Sequence, residues 1–184
     1  TLVTAATIVQ SYMLLITSPM LGITGGSQPL ISFNYGANRP DRIRKTFFWV
    51  LMLCFCFTAV MFLISRIMPQ YFVRIFTDNP EYGELAVWGI RAFTLMIVPL
   101  SFQYVIVDGL TALGMTKTSL SLSLIRKSVY FGATCVLPLF FAARTAFYAE
   151  PLADGLAAAL SCTVFSFVYR KYLRGEGRLK EIKM

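Results

Sequence analysis

Residues 46–65 read TFFWVLMLCFCFTAVMFLIS, a run of twenty residues without a charged side chain. A hydrocarbon core about 30 Å thick is crossed by roughly 20 apolar residues in a helix, so this run has the length of one membrane span. Its apolar residues do not alternate with polar ones, as they would in a strand of a membrane barrel. It also lacks the polar face that soluble helices normally keep. The run therefore predicts a transmembrane helix.

Four other stretches of the chain have the same character. Only 14% of the 184 residues are charged, whereas soluble domains have about 25%. Prolines and glycines near the ends of the apolar stretches mark their boundaries. We therefore expect an all-α membrane protein with about five transmembrane helices in one domain. The predicted spans are 3–31, 46–67, 82–113, 119–142 and 151–172, and a basic tail covers 173–184.

The basic residues are concentrated on alternate connections. Most of them lie between the first and second spans, around the start of the fourth span and in the tail. Because cytoplasmic loops carry an excess of Lys and Arg, we expect these segments, and the C-terminus, in the cytoplasm. The net charge of +8 is then explained by basic loops that stay in the cytoplasm, and the segment from Arg39 to Lys45 is expected to contact membrane lipids there. No basic stripe is interleaved with exposed aromatics, so we expect no nucleic-acid partner.

The cysteine and histidine content argues against metal and catalytic chemistry. Four cysteines all lie in apolar stretches, and Cys54 and Cys56 have C-x-C spacing, which is typical of neither zinc nor redox sites. The chain has no histidine, which excludes His-based metal sites and Ser-His triads. We expect no metal site, no cofactor and no enzymatic activity.

Residues 28–37 read QPLISFNYGA, and this string resembles the end of the eighth helix in the MATE (multidrug and toxic compound extrusion) family. Three further strings resemble family segments in the family's order, each at the end of a predicted span. These are FTDNPE at 76–81, ALG at 112–114 with Lys117, and AEPLAD at 149–154. Together they cover essentially the whole chain. The orientation that the family implies agrees with the one predicted from the basic residues.

The resemblance implies helices 8–12 of a twelve-helix, two-lobe transporter whose N-terminal lobe is missing. The chain starts at Thr1 rather than Met, which also suggests a fragment. Such a transporter is a secondary active antiporter of a plasma membrane, here expected to be bacterial. Inflow of Na⁺ or H⁺ would drive export of cationic or amphipathic drug-like compounds.

A flippase of the same superfamily, moving lipid-linked oligosaccharides, is the alternative. It would need several basic residues inside the cavity to meet a diphosphate. Only Arg126 and Lys127 are candidates, and both lie near the predicted start of the fourth span. We expect them to extend their side chains to the lipid headgroups rather than to face a wet interior.

Asp108 is the one acid that we predict well inside a span. A carboxylate at the bilayer centre costs about 2.5–3.5 kcal/mol, which makes Asp108 a candidate for cation coupling. It also lies six residues before Gly114, so contact with the cytoplasmic headgroups is an open alternative. The family does not usually have an acid here, and the coupling acid in one branch matches Phe102. Asp154 is expected in the first turn of the last helix, on the outer side.

Polar residues after Pro99 are candidates for the substrate cavity. A proline removes a backbone donor and bends a helix, and Ser101, Gln103 and Tyr104 follow it near the middle of the third span. Hydrogen bonding between helices is the alternative role. The residues assigned to the family motif and helix end are Gln28, Pro29, Asn34, Tyr35 and Gly36. The predicted hinge or kink positions are Gly25, Gly26, Pro99 and Pro138.

Overall fold

Helices make up nearly all of the computed structural model, which describes residues 2–77, 79–140 and 143–173. The main helices are α1 (Leu2–Gly36), α2 (Pro40–Ile67), α3 (Pro69–Val73), α4 (Pro80–Phe93), α5 (Ile97–Ala112), α6 (Thr116–Phe140) and α7 (Ala149–Val168). Two 3₁₀ segments, Thr94–Met96 and Ala143–Tyr148, and a π-helical turn, Tyr169–Leu173, complete the described chain. No strand occurs in these ranges.

Five helical segments are long and apolar enough to cross a membrane, which confirms the predicted fold class. They are Val3–Gly36, Pro40–Ile67, Tyr82–Ala112, Thr116–Phe140 and Ala149–Leu173. The second and fourth begin earlier than the positions predicted for them, 46 and 119, because the polar residues ahead of each apolar run are already helical. From residue 174 onward, the predicted basic tail lies outside the described residues.

Helix α1 continues through Pro29 and ends five residues later than predicted. Its last residue is Gly36, and the left-handed residue of the cap is Asn38, with φ 53°. The N–H of Arg39 donates to the carbonyl of Asn34 at 3.0 Å, and the N–H of Asn38 donates to that of Tyr35 at 3.0 Å. This is the Schellman pattern. The left-handed residue that ends α1 is therefore Asn38 and neither Asn34 nor Gly36, which were assigned to the helix end.

The third span is broken where its proline requires it. The 3₁₀ turn Thr94–Met96 separates α4 from α5 and lies just before Pro99. Pro99 cannot donate to the carbonyl four residues earlier, and its ring crowds that carbonyl, so the α-helical ladder is interrupted there. The Thr94 hydroxyl is buried and donates to Ser65 of α2 at 3.0 Å, which ties the break to the neighbouring helix.

The helices enclose a continuous apolar core and leave an apolar outer surface. Helix α1 packs against α2, α4 and α5, while α7 lies between α5 and α6. Tyr12, Ile16, Ile90 and Leu100 are fully buried among them. Large apolar side chains, such as Trp49, are exposed on the outside. Such extensive apolar exposure is typical of a surface that faces lipid.

Two glycines permit the closest helix contacts. A Cβ at Gly109 of α5 would overlap the ring of Phe47 of α2. A Cβ at Gly89 of α4 would lie 2.8 Å from Val9 Cγ2 of α1 and 3.0 Å from Phe147 Cε1. Neither glycine was singled out from the sequence. Both hold spans together by letting a neighbouring side chain approach the helix backbone.

Candidate intramembrane ion-pair site

A buried arginine connects the last two spans. The Arg126 guanidinium of α6 donates from Nε to Asp154 Oδ1 at 2.8 Å and from Nη2 to Glu150 Oε1 at 3.1 Å. Glu150 and Asp154 are four residues apart on α7, so their side chains share one face of that helix. The guanidinium thus bridges two carboxylates. A salt bridge with one cation between two anions is the central feature of this site.

Tyr104 of α5 completes the cluster. Its hydroxyl accepts from Arg126 Nη1 at 3.4 Å, and the centroid of its ring lies 5.5 Å from the guanidinium carbon. Three spans therefore meet at one arginine. Because each contact uses a different edge or face of the guanidinium, the side chain is held in a single orientation.

The depth of Arg126 contradicts the expectation that it reaches the headgroups. Arg126 lies ten residues after Thr116, the first residue of α6, which places it about 15 Å along the helix. The residue is only 8% exposed. The prediction for Arg126 failed for two reasons. Helix α6 begins at Thr116, three residues before the predicted start, which places Arg126 deeper in the span. The two acids also make burial of the guanidinium favourable. Lys127, the neighbouring candidate, has an exposed side chain on the same helix.

Asp154 also differs from its expected role. It was assigned to the first turn of the last helix, but that turn contains Glu150, and Asp154 is fully buried one turn further in. Asp154 Oδ2 has no hydrogen-bond partner among the described residues. A buried carboxylate oxygen without a donor is costly, so the site contains an unfilled position for a proton or another donor.

The three candidates that follow Pro99 lie in two environments. Gln103 and Tyr104 line a cavity of about 190 Å³ together with Val107, Ser123, Arg126 and Lys127. Gln103 is 3% exposed, and its Oε1 has no partner among the described residues. Ser101 is fully buried and donates to the carbonyl of Val98 at 2.7 Å, within its own helix. The structure thus places two of the three beside the ion-pair site.

Asp108 lies apart from this cluster. It is half-buried on α5, and no hydrogen bond or ion pair of its carboxylate is found among the described residues. Its role in cation coupling stays a prediction.

The family-motif residues form the end of α1. Asn34 is buried, and its Nδ2 donates to the carbonyl of Leu30 at 2.8 Å. Ser32, within the same string, donates to the carbonyl of Ala112 at 2.9 Å and so joins α1 to the end of α5. Gln28 and Tyr35 are half-buried, whereas Pro29 and Gly36 are exposed. None of these side chains lines the cavity beside Arg126.

The predicted hinge positions differ in their surroundings. Gly25 and Gly26 lie within the unbroken α1, and no described atom lies within 4 Å of a Cβ built on either. Pro138 lies inside α6, close to its end. Of the four, only Pro99 adjoins an interruption of a span.

Sequence reasoning missed the pairing of Arg126 with Glu150 and Asp154. A signal was present in the sequence, because Arg126 and Asp154 each lie within an apolar stretch. Glu150 lies one helical turn before Asp154. Such residues inside membrane spans usually pair with one another. Which of them meet depends on how α6 and α7 pack, and the chain separates them by 24 and 28 residues.

The fold and the buried site define a multi-pass helical membrane protein with charged groups paired inside the bundle. The family model described as MatE matches residues 1–131, more than half of the chain. The chain therefore belongs to the MatE family, which is a family of transporters. Comparisons with curated proteins and with solved structures gave no significant match.

Proposed function

We propose that this chain is part of a secondary active efflux antiporter that exports cationic or amphipathic compounds in exchange for Na⁺ or H⁺. The observation that carries the proposal is the ion-pair site. Arg126, Glu150 and Asp154 lie inside the spans, next to a cavity lined by Gln103 and Tyr104. Charged residues inside a membrane bundle are costly and mark ion or substrate pathways.

The charge of the cluster favours cations over anions. Two carboxyl groups face one guanidinium, so the site has an excess of acidic groups. Tyr104 also lines the cavity, and its ring already lies against the Arg126 guanidinium. A cationic compound or a coupling cation would therefore be attracted towards this side of the bundle.

The same geometry argues against the alternative, a flippase for lipid-linked oligosaccharides. A diphosphate needs basic groups that are free to donate. Arg126 is already bound to two carboxylates and a tyrosine. Lys127 is the one remaining cation in the lining of this cavity. A single lysine is a weak match for a diphosphate.

Placement in the membrane follows from the basic residues. Arg39, Arg42 and Lys45 surround the connection between α1 and α2, and Lys117 lies in the first turn of α6 at the same end of the bundle. We propose that this end faces the cytoplasm of a bacterial cell, with the C-terminus on the same side. We also propose that an N-terminal lobe preceding this chain supplies the other wall of the transport cavity.

The test is transport by the chain joined to its upstream coding sequence, in a host that lacks its own drug pumps. We expect lower accumulation of a fluorescent cationic dye, with the effect lost when the ion gradients are collapsed. Residues 1–184 expressed alone should leave dye levels unchanged, because a two-lobe cavity cannot form. Unchanged dye levels with the complete protein present in the membrane would contradict the proposal.

A further inference from the structure

Counted over the side chains that the structure describes, the ion-pair site has one more acidic group than it has basic partners. Arg126 bonds to Glu150 and to Asp154, so the three groups would carry a net charge of −1 if both acids were ionised. The side chains of Arg126 and Asp154 are 9% and 1% exposed, so water does not screen this charge effectively. An uncompensated charge in such surroundings is strongly unfavourable, and the group takes up a proton instead.

Among the side chains that the structure describes, no other group near the two acids removes the excess. Tyr104 on α5 and Tyr130 on α6 face the cluster, and a tyrosine hydroxyl brings no positive charge to it. Lys127 on α6 is close enough to act on Asp154 electrostatically. Its side chain is exposed, however, and it forms no ion pair with either acid among the described contacts.

We infer that Glu150 and Asp154 together bind one exchangeable proton next to Arg126. Asp154 Oδ2 is enclosed and receives no hydrogen bond among the described residues, so a proton there removes the excess charge without displacing a bonded donor. A cavity lined by Arg126 lies beside the salt bridge, although neither acid lines it. Gln103 lines that cavity with an unpartnered buried oxygen, Oε1, which can accept a hydrogen bond from a proton carrier.

A proton fits this site better than a metal ion does. Cations such as Ca²⁺ and Mg²⁺ need about six converging oxygen ligands. No group of three or more His, Cys, Asp or Glu side chains able to hold a metal occurs in the part of the chain that the structure describes. The guanidinium of Arg126, 2.8 Å from Asp154, also repels a metal cation placed at the carboxylates. A proton bound to one carboxylate leaves the other carboxylate ionised and paired with the guanidinium.

This inference rests on the proposed function only for the role of the proton in transport. When a cationic compound enters the cavity, its charge replaces that of the proton, which leaves to water. The cluster would then be the coupling site of the antiporter. The binding of the proton itself does not depend on transport, so it can be measured separately.

The test is infrared spectroscopy of the 184-residue chain in lipid vesicles at neutral pH, where protonated carboxyl groups give a C=O band distinct from carboxylate bands. We expect Glu150→Gln and Asp154→Asn to lose equal band areas, each equivalent to one proton. The double variant should lose no more than either single variant, because the remaining acid in each single variant pairs with Arg126 as an ionised group. Arg126→Gln should gain one proton's worth of band area.

Matched controls separate the site from the rest of the chain. Asp41→Asn removes an exposed acid that pairs with Arg44, and it should leave the band unchanged. Circular dichroism checks that each variant stays helical, and the two acid variants suffice if Arg126→Gln does not fold. Replacing Na⁺ by K⁺ should have no effect on the band.

Three results would overturn the inference. The first is additive loss in the double variant, which means two independent protons. The second is a protonated-carboxyl band that is absent from the unmodified protein and appears in the Lys127→Gln variant. Lys127 would then be the cation that balances the excess acid. The third is loss of the band in Na⁺ but not in K⁺, which makes the site a sodium site. The predicted band together with failed dye export would leave the proton site standing and reject the antiporter proposal.

Discussion

Substitution of Gly89 by alanine should destabilise the bundle although alanine is the better helix former. The added Cβ would lie 2.8 Å from Val9 Cγ2 and 3.0 Å from Phe147 Cε1. Carbon atoms prefer about 3.5–4.0 Å, so the neighbours would have to move by roughly 0.7 Å. Both are buried, at 0% and 4% exposure, and Phe147 also packs edge-on against Trp88 and Phe93.

The expected size of the effect combines two opposing terms. Overpacking of a core costs about 1–3 kcal/mol, and two immobile neighbours favour the upper half of that range. Replacing a glycine inside a helix by alanine returns up to about 1 kcal/mol. The free energy of unfolding of Gly89→Ala should therefore fall by about 1–2 kcal/mol.

The assay is denaturant unfolding in mixed micelles, followed by circular dichroism, with Gly132→Ala as the matched control. Gly132 lies inside α6, and no described atom lies within 4 Å of a Cβ built there. The control should be unchanged or slightly more stable than the unmodified protein. Adding Val9→Ala to Gly89→Ala should cost less than Val9→Ala does alone. Equal stabilities of the Gly89 and Gly132 variants would refute the proposed close contact between α4 and α1.

Three other substitutions test separate features, all by the same unfolding assay unless stated. Arg126→Met should lower the free energy of unfolding by about 3–5 kcal/mol, because it leaves buried acids unpaired. Adding Asp154→Asn to Arg126→Met should recover part of that loss. Asn38→Ala should lower the free energy of unfolding by about 1 kcal/mol, because residue 38 has a positive φ. Asn38→Gly should leave the free energy of unfolding unchanged or raise it. A glycine variant less stable than the alanine variant would contradict the left-handed cap at Asn38. Gly25→Ala should leave stability unchanged or slightly raised, as expected for Gly132→Ala. Lower dye export by the complete transporter carrying it would therefore indicate a hinge, and unchanged export would remove Gly25 from the hinge candidates.

The spans were predictable because each is a local property of the sequence. A run such as 46–65 is too apolar and too long for any other environment, and the lack of a backbone donor at Pro99 locates a break within a few residues. Gly114 directly follows the predicted end of the third span at 113, and it has the left-handed conformation that ends a helix, with φ 82°. These features depend only on residues that are close together along the chain, so the order of residues is enough to predict them.

The site was less predictable because its groups come from different helices. Arg126 is near the start of the predicted fourth span, and only the packing of α6 on α7 brings it to Asp154. The prediction gave weight to Asp108 because it was the one acid predicted well inside a span. The glycines show the same limit. Gly25 and Gly26 stand out as a pair, but the close contacts are at Gly89 and Gly109, which only a neighbouring helix can reveal.

The salt bridge between α6 and α7 has a consequence for how the chain enters the membrane. Helix α6 buries only Ser119, Leu122 and Arg126 among its described side chains, so little apolar packing holds it to the bundle. An unpaired arginine near the middle of a span costs about 2.5–3.5 kcal/mol during insertion. The next helix to leave the ribosome carries the two acids that neutralise it. Helices α6 and α7 should therefore be integrated as a hairpin, with α6 held at the translocon until α7 has been synthesised.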